Sequence, residues 1–242
     1  MTTFKDVEQY YNQCYKKDKV GVTSAFKVAE GVRPFEAYEY VLNSLNLDNG
    51  KGLKLLDIAC GRGFLLKAAS SKGFEISGID ISKEAIELAK LNVPNASLKV
   101  GAAEKLPFKD NYFDVVFCLG SLEHFLDQEK AISEIKRVSK KDSRLFIMVP
   151  NKDFILFKFT NHEGTHQSEI QETLRTNNEW VNLFRKNGLS ISKTLADDYN
   201  FKQRIFFDYR PLFVIRRSLL KVLGLFIPLK FSYQFLYCCK KN

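Results

Sequence analysis

The chain has 242 residues, 45% apolar and 13% aromatic, which suits one α/β domain with a sizeable core and excludes a disordered chain. Its net charge of +9 is unevenly placed: residues 1–200 are close to neutral, whereas from Phe201 onward basic residues far outnumber the one acid, Asp208. That excludes a broad nucleic-acid-binding surface on the core and points to a local basic patch.

In chain order, Phe4–Tyr15 and Phe35–Leu45 read as two helices ahead of the first strand. Leu53–Ile58 is that strand, followed by a helix over Phe64–Ser70. Phe74–Asp80 is the second strand, and Ser82 is the expected N-cap of a helix running to Asn92. Ala96–Val100 and Phe113–Leu119 are β-like. Gln128–Ser139 is helical, with Ala131, Ile132, Ile135 and Val138 on one face. Arg144–Val149 is a strand that Pro150 ends. Asn178–Asn187 is a helix with Gly188 as its natural stop, and Leu189–Leu195 and Phe231–Cys238 are two further strands. This alternation predicts a mainly parallel sheet with helices on both faces. The expected organisation is a single domain: an N-terminal helical cap over 1–50, a cofactor-binding core over 51–200, and a basic, apolar helix with the final strand over 201–242.

The most informative stretch is Leu55-Leu56-Asp57-Ile58-Ala59-Cys60-Gly61-Arg62-Gly63-Phe64. A strand ends in a Gly-x-Gly turn that opens a helix, where exposed N–H groups suit an anionic ligand group. Asp80 ends the second strand, where a carboxylate can accept both hydroxyls of a ribose. A dinucleotide fingerprint wants a third glycine three residues after the second; Leu66 stands there. A nicotinamide oxidoreductase is therefore disfavoured, and an adenosyl amino acid is the better ligand. An ordinary turn at Gly61 and Gly63, and a helix-capping acid at Asp80, are the alternatives without a ligand.

Four segments, in order and at the right spacing, resemble the class I S-adenosylmethionine-dependent methyltransferases: Asp57–Gly63, Gly78–Ser82, Gly101–Phe108, and Phe113–Val116 running into Ser121–Phe125. Thr165-His166 and Glu179-Trp180 through Gly188 resemble later pieces of the same family. The resemblance covers roughly residues 50–190. It implies a Rossmann-like, doubly wound, seven-stranded sheet with the last strand antiparallel. It also implies S-adenosyl-L-methionine as cofactor and S-adenosyl-L-homocysteine as product. Asp57, Ala59, Gly61 and Gly63 would then line the methionine end. Asp80 would hold the ribose, Ile81 would pack on the adenine, Ala103 and Glu104 would sit at its edge, and Leu119 would lie beside the sulfonium. Two positions depart from the pattern. Ala59 replaces a frequent glycine, which a negative φ would accommodate. Ala102 replaces an acid at the adenine amino group, for which Glu104 or a backbone carbonyl is the expected substitute.

Methyl transfer from a sulfonium mainly requires alignment, and a base helps where the acceptor is a hydroxyl. His124, just past the fourth strand, is the first candidate for that base or for orienting the acceptor. By the resemblance, His166 lies in a loop over the acceptor pocket as a second catalytic or substrate-binding residue. Tyr10 and Tyr11 belong to the N-terminal segment that folds over the cleft in related enzymes, and Tyr11 is the acceptor contact expected there. His162-Glu163-Gly164-Thr165-His166 is a literal H-E-x-x-H string. Gly164 and the polar neighbours oppose the helix such a zinc site needs, so no metal is expected.

Pro211–Pro228 reads as one helix bounded by prolines, with Arg210, Arg216, Arg217 and Lys221 within an arc of about 140°. It is too charged and short to span a bilayer; either it packs between the last two strands with its basic stripe solvated, or residues 210–227 also make a peripheral membrane contact or admit a lipid-linked acceptor. Five cysteines without a C-x-x-C pair, and no apolar secretory segment at the start, point to the cytoplasm. The expected function is methyl transfer to an oxygen or nitrogen of a small-molecule or lipid/glycan-linked acceptor; oligomeric state is open. The alternatives are a non-catalytic methyltransferase-like module that binds the cofactor, and a nucleic-acid methyltransferase. The latter is disfavoured because Cys118-Leu119-Gly120-Ser121 replaces the N-P-P-Y-like grip on a flipped base.

Overall fold

The computed structural model describes residues 2–19, 33–154, 170–197, 229 and 232–242. The helices and strands are α1 (Phe4–Lys19), α2 (Phe35–Ser44), β1 (Lys54–Ile58), α3 (Phe64–Ser71), β2 (Glu75–Asp80), α4 (Lys83–Asn92), β3 (Ser97–Val100), β4 (Phe113–Leu119), α5 (Gln128–Val138), β5 (Ser139–Pro150), α6 (Asn177–Lys186), β6 (Leu189–Ala196) and β7 (Gln234–Lys241). Among the described residues these strands form a seven-stranded sheet in the order β3-β2-β1-β4-β5-β7-β6. β1 to β5 pair in parallel, and β7 runs antiparallel to both β5 and β6. The strand order reverses between β1 and β4, so a crevice opens at their carboxyl ends.

Strand periodicity sorts side chains onto the two faces of the sheet. Leu56 and Ile58 of β1, Val116 and Cys118 of β4, and Leu145 and Ile147 of β5 pack with Ile132 of α5 and Trp180 of α6. The alternate residues, Leu55, Val115, Phe117 and Phe146, pack with Leu42 of α2 and Leu66 of α3 on the other face. Both layers are fully buried, as a parallel sheet between helices requires.

Local chemistry fixes the helix starts. Ser82 accepts from Ala85 N at 3.1 Å, the N-cap that the sequence predicts for α4. Thr176 and Glu179 form a capping box at α6, with Glu179 N donating to Thr176 Oγ1 and Thr176 N donating to Glu179 Oε2. Gly188 follows α6 at φ 72°, as expected of a helix stop.

Two strands differ from the sequence reading by more than one residue. β5 begins at Ser139 and not at Arg144, because the polar run 140–143 stays beside β4 through a bulge and Lys140 pairs with Asp114 at 2.7 Å. β7 is shifted to Gln234–Lys241, because its register is dictated by ladders to β5 and β6 and not by its own β propensity. The proposed 211–228 helix lies outside the described residues. No described helix is long and apolar enough to cross a membrane.

Candidate active site

A cleft of about 400 Å³ opens at the carboxyl ends of β1, β2 and β4. Its floor is the turn after β1. Gly61 and Gly63 have φ of 51° and 74°, the left-handed region open to glycine. A Cβ on Gly61 would lie 2.8 Å from the Tyr15 hydroxyl, and one on Gly63 would meet Val93 and Ala89 of α4 at 3.0–3.2 Å. Gly61 thus serves the cleft, while Gly63 lets α3 pack closely against α4.

Ala59 does not take the negative φ expected of it. It sits at 58°, where an L-residue is strained by about 1 kcal/mol or more. Ala59→Gly is therefore expected to raise the unfolding free energy by about 0.5 kcal/mol, after the entropy of the freer unfolded chain is deducted. Urea denaturation of the two proteins checks this; a lower midpoint for the glycine variant would contradict it.

Two buried carboxylates flank this turn. Asp80 Oδ2 accepts from Gly61 N and its Oδ1 from Ser82 N, both at 2.9 Å. Burial pushes its pKa up to about 6, with those two hydrogen bonds opposing the rise. Asp57 is held well above the usual carboxylate range by burial, and by the charge of Asp80. Two acids kept close to neutrality in one cleft suit a ligand that brings positive charge and hydroxyl donors with it.

Helix α1 roofs the cleft. Phe4, Val7, Tyr11 and Tyr15 fall on one helical stripe and face it. The helix is tied down by Asn12, whose Oδ1 accepts from Ser82 Oγ at 2.8 Å and from Glu84 N at 3.3 Å. The loop that carries the Asp80 hydrogen bonds therefore also anchors the roof. Tyr15 was not among the sequence-derived candidates, although the spacing 4, 7, 11, 15 was readable.

The remaining candidates are placed as follows. Ile81, Ala103, Glu104 and Leu119 line the same cleft as Asp57, Ala59, Gly61 and Asp80, and Tyr11 and His124 line it too. Gly63 lies behind the turn. Glu104 is turned towards the loop before α5: its Oε1 accepts from Leu126 N at 3.0 Å and Asp127 N at 3.4 Å. His124 is 4% exposed, with Nδ1 3.1 Å from the carbonyl oxygen of Gln171. Burial lowers its pKa, against the opposing effects of that carbonyl and of Glu172, so the ring is neutral. His162 and His166 lie outside the described residues. Glu123 and Glu172, neither of which the sequence singles out, both stand beside His124.

A methyltransferase-domain family matches residues 56–147. An uncharacterized methyltransferase of Bacillus subtilis is 34% identical over 145 residues, covering 57% of this chain and 57% of the relative. A ubiquinone biosynthesis O-methyltransferase of Pelagibacter ubique is 33% identical over 165 residues, covering 62% of this chain and 66% of the relative. The alignments thus span less than two thirds of those relatives' length. The solved structure of magnesium protoporphyrin IX methyltransferase from Synechocystis, with bound SAH, superposes with a TM-score of 0.68 at 17% identity, over 99% of this chain and 100% of that one. That last likeness is one of fold. The family match covers the β1 turn together with both buried carboxylates, and with these relatives it supports a class I S-adenosylmethionine-dependent methyltransferase.

Proposed function

We propose that the chain transfers a methyl group from S-adenosylmethionine to an oxygen of a small or lipid-linked acceptor seated at the mouth of the cleft. When bound, S-adenosylmethionine supplies a methyl group already activated by its sulfonium. Asp57, Asp80 and the Ala59–Gly63 turn would hold it, and the cleft fits it: Gly61 in the floor without a Cβ, two buried acids, and Ile81 and Ala103 as apolar walls. Glu104, with one oxygen committed to backbone, and Ala102, without a polar side chain, leave backbone to meet the adenine amino group.

The observation that carries the oxygen assignment is the buried centre at Glu123 and His124. An amine attacks without help, whereas a hydroxyl must lose a proton. The carbonyl of Gln171 can only accept, so His124 Nδ1 carries the hydrogen and Nε2 keeps its lone pair. Glu123 adds a buried carboxylate beside it. This centre orients a hydroxyl and receives its proton. The apolar character of the acceptor is supported by the cleft's rim, where Phe4 remains 47% exposed and Phe125 and Tyr233 also face the opening.

Incubation with methyl-labelled S-adenosylmethionine and matched phenolic, aliphatic-alcohol and amine acceptors, with a lipid extract alongside, tests this. Label is expected in a methyl ether. Label on nitrogen would overturn the oxygen assignment. Cofactor binding without transfer to any acceptor would favour the non-catalytic module.

A further inference from the structure

The hydrogen bonding around Glu123 differs from that of Asp80 and Glu104. Asp80 accepts from two backbone N–H groups, and Glu104 also accepts from two. Glu123 is 1% exposed, and among the described residues neither carboxylate oxygen has a well-formed hydrogen bond, the one N–H within its electrostatic reach being that of its own backbone. A buried carboxylate left in that state is held as the neutral acid unless a cation or a donor reaches it.

Its neighbours are metal ligands by type. Glu123 and His124 belong to the short 3-10 turn Leu122–His124 after β4. Glu172 comes from the segment ahead of α6, which is tied to that turn by Thr173 N donating to the Glu123 carbonyl at 2.9 Å. One ligand atom from each of Glu123, His124 and Glu172 lies within 4.8 Å of the other two. Ligand bonds of about 2.0–2.2 Å place such atoms about 3.4 Å apart. Binding therefore has to draw these atoms closer than they lie here, and Glu172 is the one of the three that is only partly buried. The Gln171 carbonyl on Nδ1 is the outer contact that aims a metal-bound imidazole and leaves Nε2 to the ion.

We propose that Glu123, His124 and Glu172 form a divalent-cation site facing the cleft, and that it takes Mn²⁺ or Zn²⁺. An imidazole with two carboxylates suits these ions better than Ca²⁺ or Mg²⁺, which prefer all-oxygen shells. Two carboxylates balance the charge of the ion, and three protein ligands leave positions open for an acceptor oxygen. The role of the ion rests on the oxygen reading above; its binding does not. With the ion present, His124 Nε2 would be a ligand in place of the base described above, and the ion would make an acceptor hydroxyl more acidic, so that its proton could pass to solvent.

The test is direct binding to chelator-treated full-length protein without acceptor. Mn²⁺ is followed by the spin-resonance signal of the free ion, and Zn²⁺ by competition with a chromophoric chelator. Wild type is expected to bind one ion per chain at low micromolar concentration. Glu123→Gln and, separately, Glu172→Gln are expected to weaken binding at least tenfold with unchanged circular dichroism. Should Glu123→Gln misfold, Glu172→Gln decides alone. No binding up to millimolar ion, or binding that the folded variants leave unchanged, overturns the proposal. Tight ion binding without transfer to oxygen would leave the site standing and defeat the oxygen reading. Transfer to oxygen by chelated protein at the full rate would uphold the oxygen reading and overturn the catalytic role of the ion.

Discussion

Asp80→Ala is expected to weaken S-adenosylhomocysteine binding by about 10- to 100-fold, or about 1.4–2.7 kcal/mol. The carboxylate has two tasks. It offers oxygens to the ribose hydroxyls, and it holds Gly61 N and Ser82 N in place from either side of the cleft. Alanine removes both the ligand contact and the brace, and hydrogen bonds to a charged group are worth about 1.5–3 kcal/mol each when nothing replaces them. Because Ser82 Oγ also donates to Asn12 Oδ1, the roof helix loosens as well. Calorimetric titration of wild type and variant measures the loss, and an unchanged affinity would remove Asp80 from the cofactor site.

The same group sets a pH dependence whose sign follows from its raised pKa. Asp80 is ordinarily half-ionised at 3.8 and here at about 6. The unliganded protein therefore loses stability as pH rises through that window, since it must ionise a buried acid. The ligand needs the ionised form, so affinity should climb from pH 5 to a plateau above pH 6. Asp57, Cys60, Tyr11 and Tyr15 face Asp80 from β1, the turn and α1. Burial keeps the thiol and both phenols neutral there, so Asp57 is the group that titrates alongside. Asp80→Asn should flatten the profile.

Trp180→Ala is expected to lower the unfolding free energy by about 3–5 kcal/mol. The indole is fully buried, stacks on Phe184 at 6.0 Å, and donates from Nε1 to the Pro150 carbonyl at 3.0 Å. Arg175 lies over its ring at 4.8 Å. Alanine leaves a cavity between α6 and the sheet and strips a buried carbonyl of its donor. A domain of this kind has about 5–15 kcal/mol in all, so the urea midpoint should fall steeply. Trp180→Phe keeps most of the volume and loses the hydrogen bond, so it should fall in between. A midpoint for alanine within error of wild type would show that α6 does not hold this face together.

Much of the cleft was legible because its signals are local. Gly61 and Gly63 report on backbone conformation at their own positions, and Asp80 reports the end of a strand that its apolar predecessors already mark. Ser82 reads as a cap because an N-cap bonds to a residue three places on. Gln128–Val138 was readable from its apolar face, which is periodic within one helix. β7 was found but misplaced by three residues at its start, since alternation marks a strand's existence more firmly than its register.

Other features depend on which segments meet. The left-handed φ of Ala59 is imposed by the turn between β1 and α3, against the preference of alanine itself. Tyr15 lies over Gly61 because Asn12 docks α1 onto the start of α4. Glu172 joins Glu123 and His124 through a backbone bond from Thr173 that no local pattern announces. The H-E-x-x-H string drew attention because its histidines are adjacent in sequence, while the structure assembles a ligand set from two segments far apart along the chain. Composition and periodicity by themselves determined the α/β class and the strand order of appearance, and the glycine turn after β1 was legible in its motif, because each is written in contacts between near neighbours. Only the tertiary structure decided the roof of the cleft and the chemistry of its mouth, because those rest on packing and desolvation between distant segments, and a one-dimensional pattern carries no measure of either.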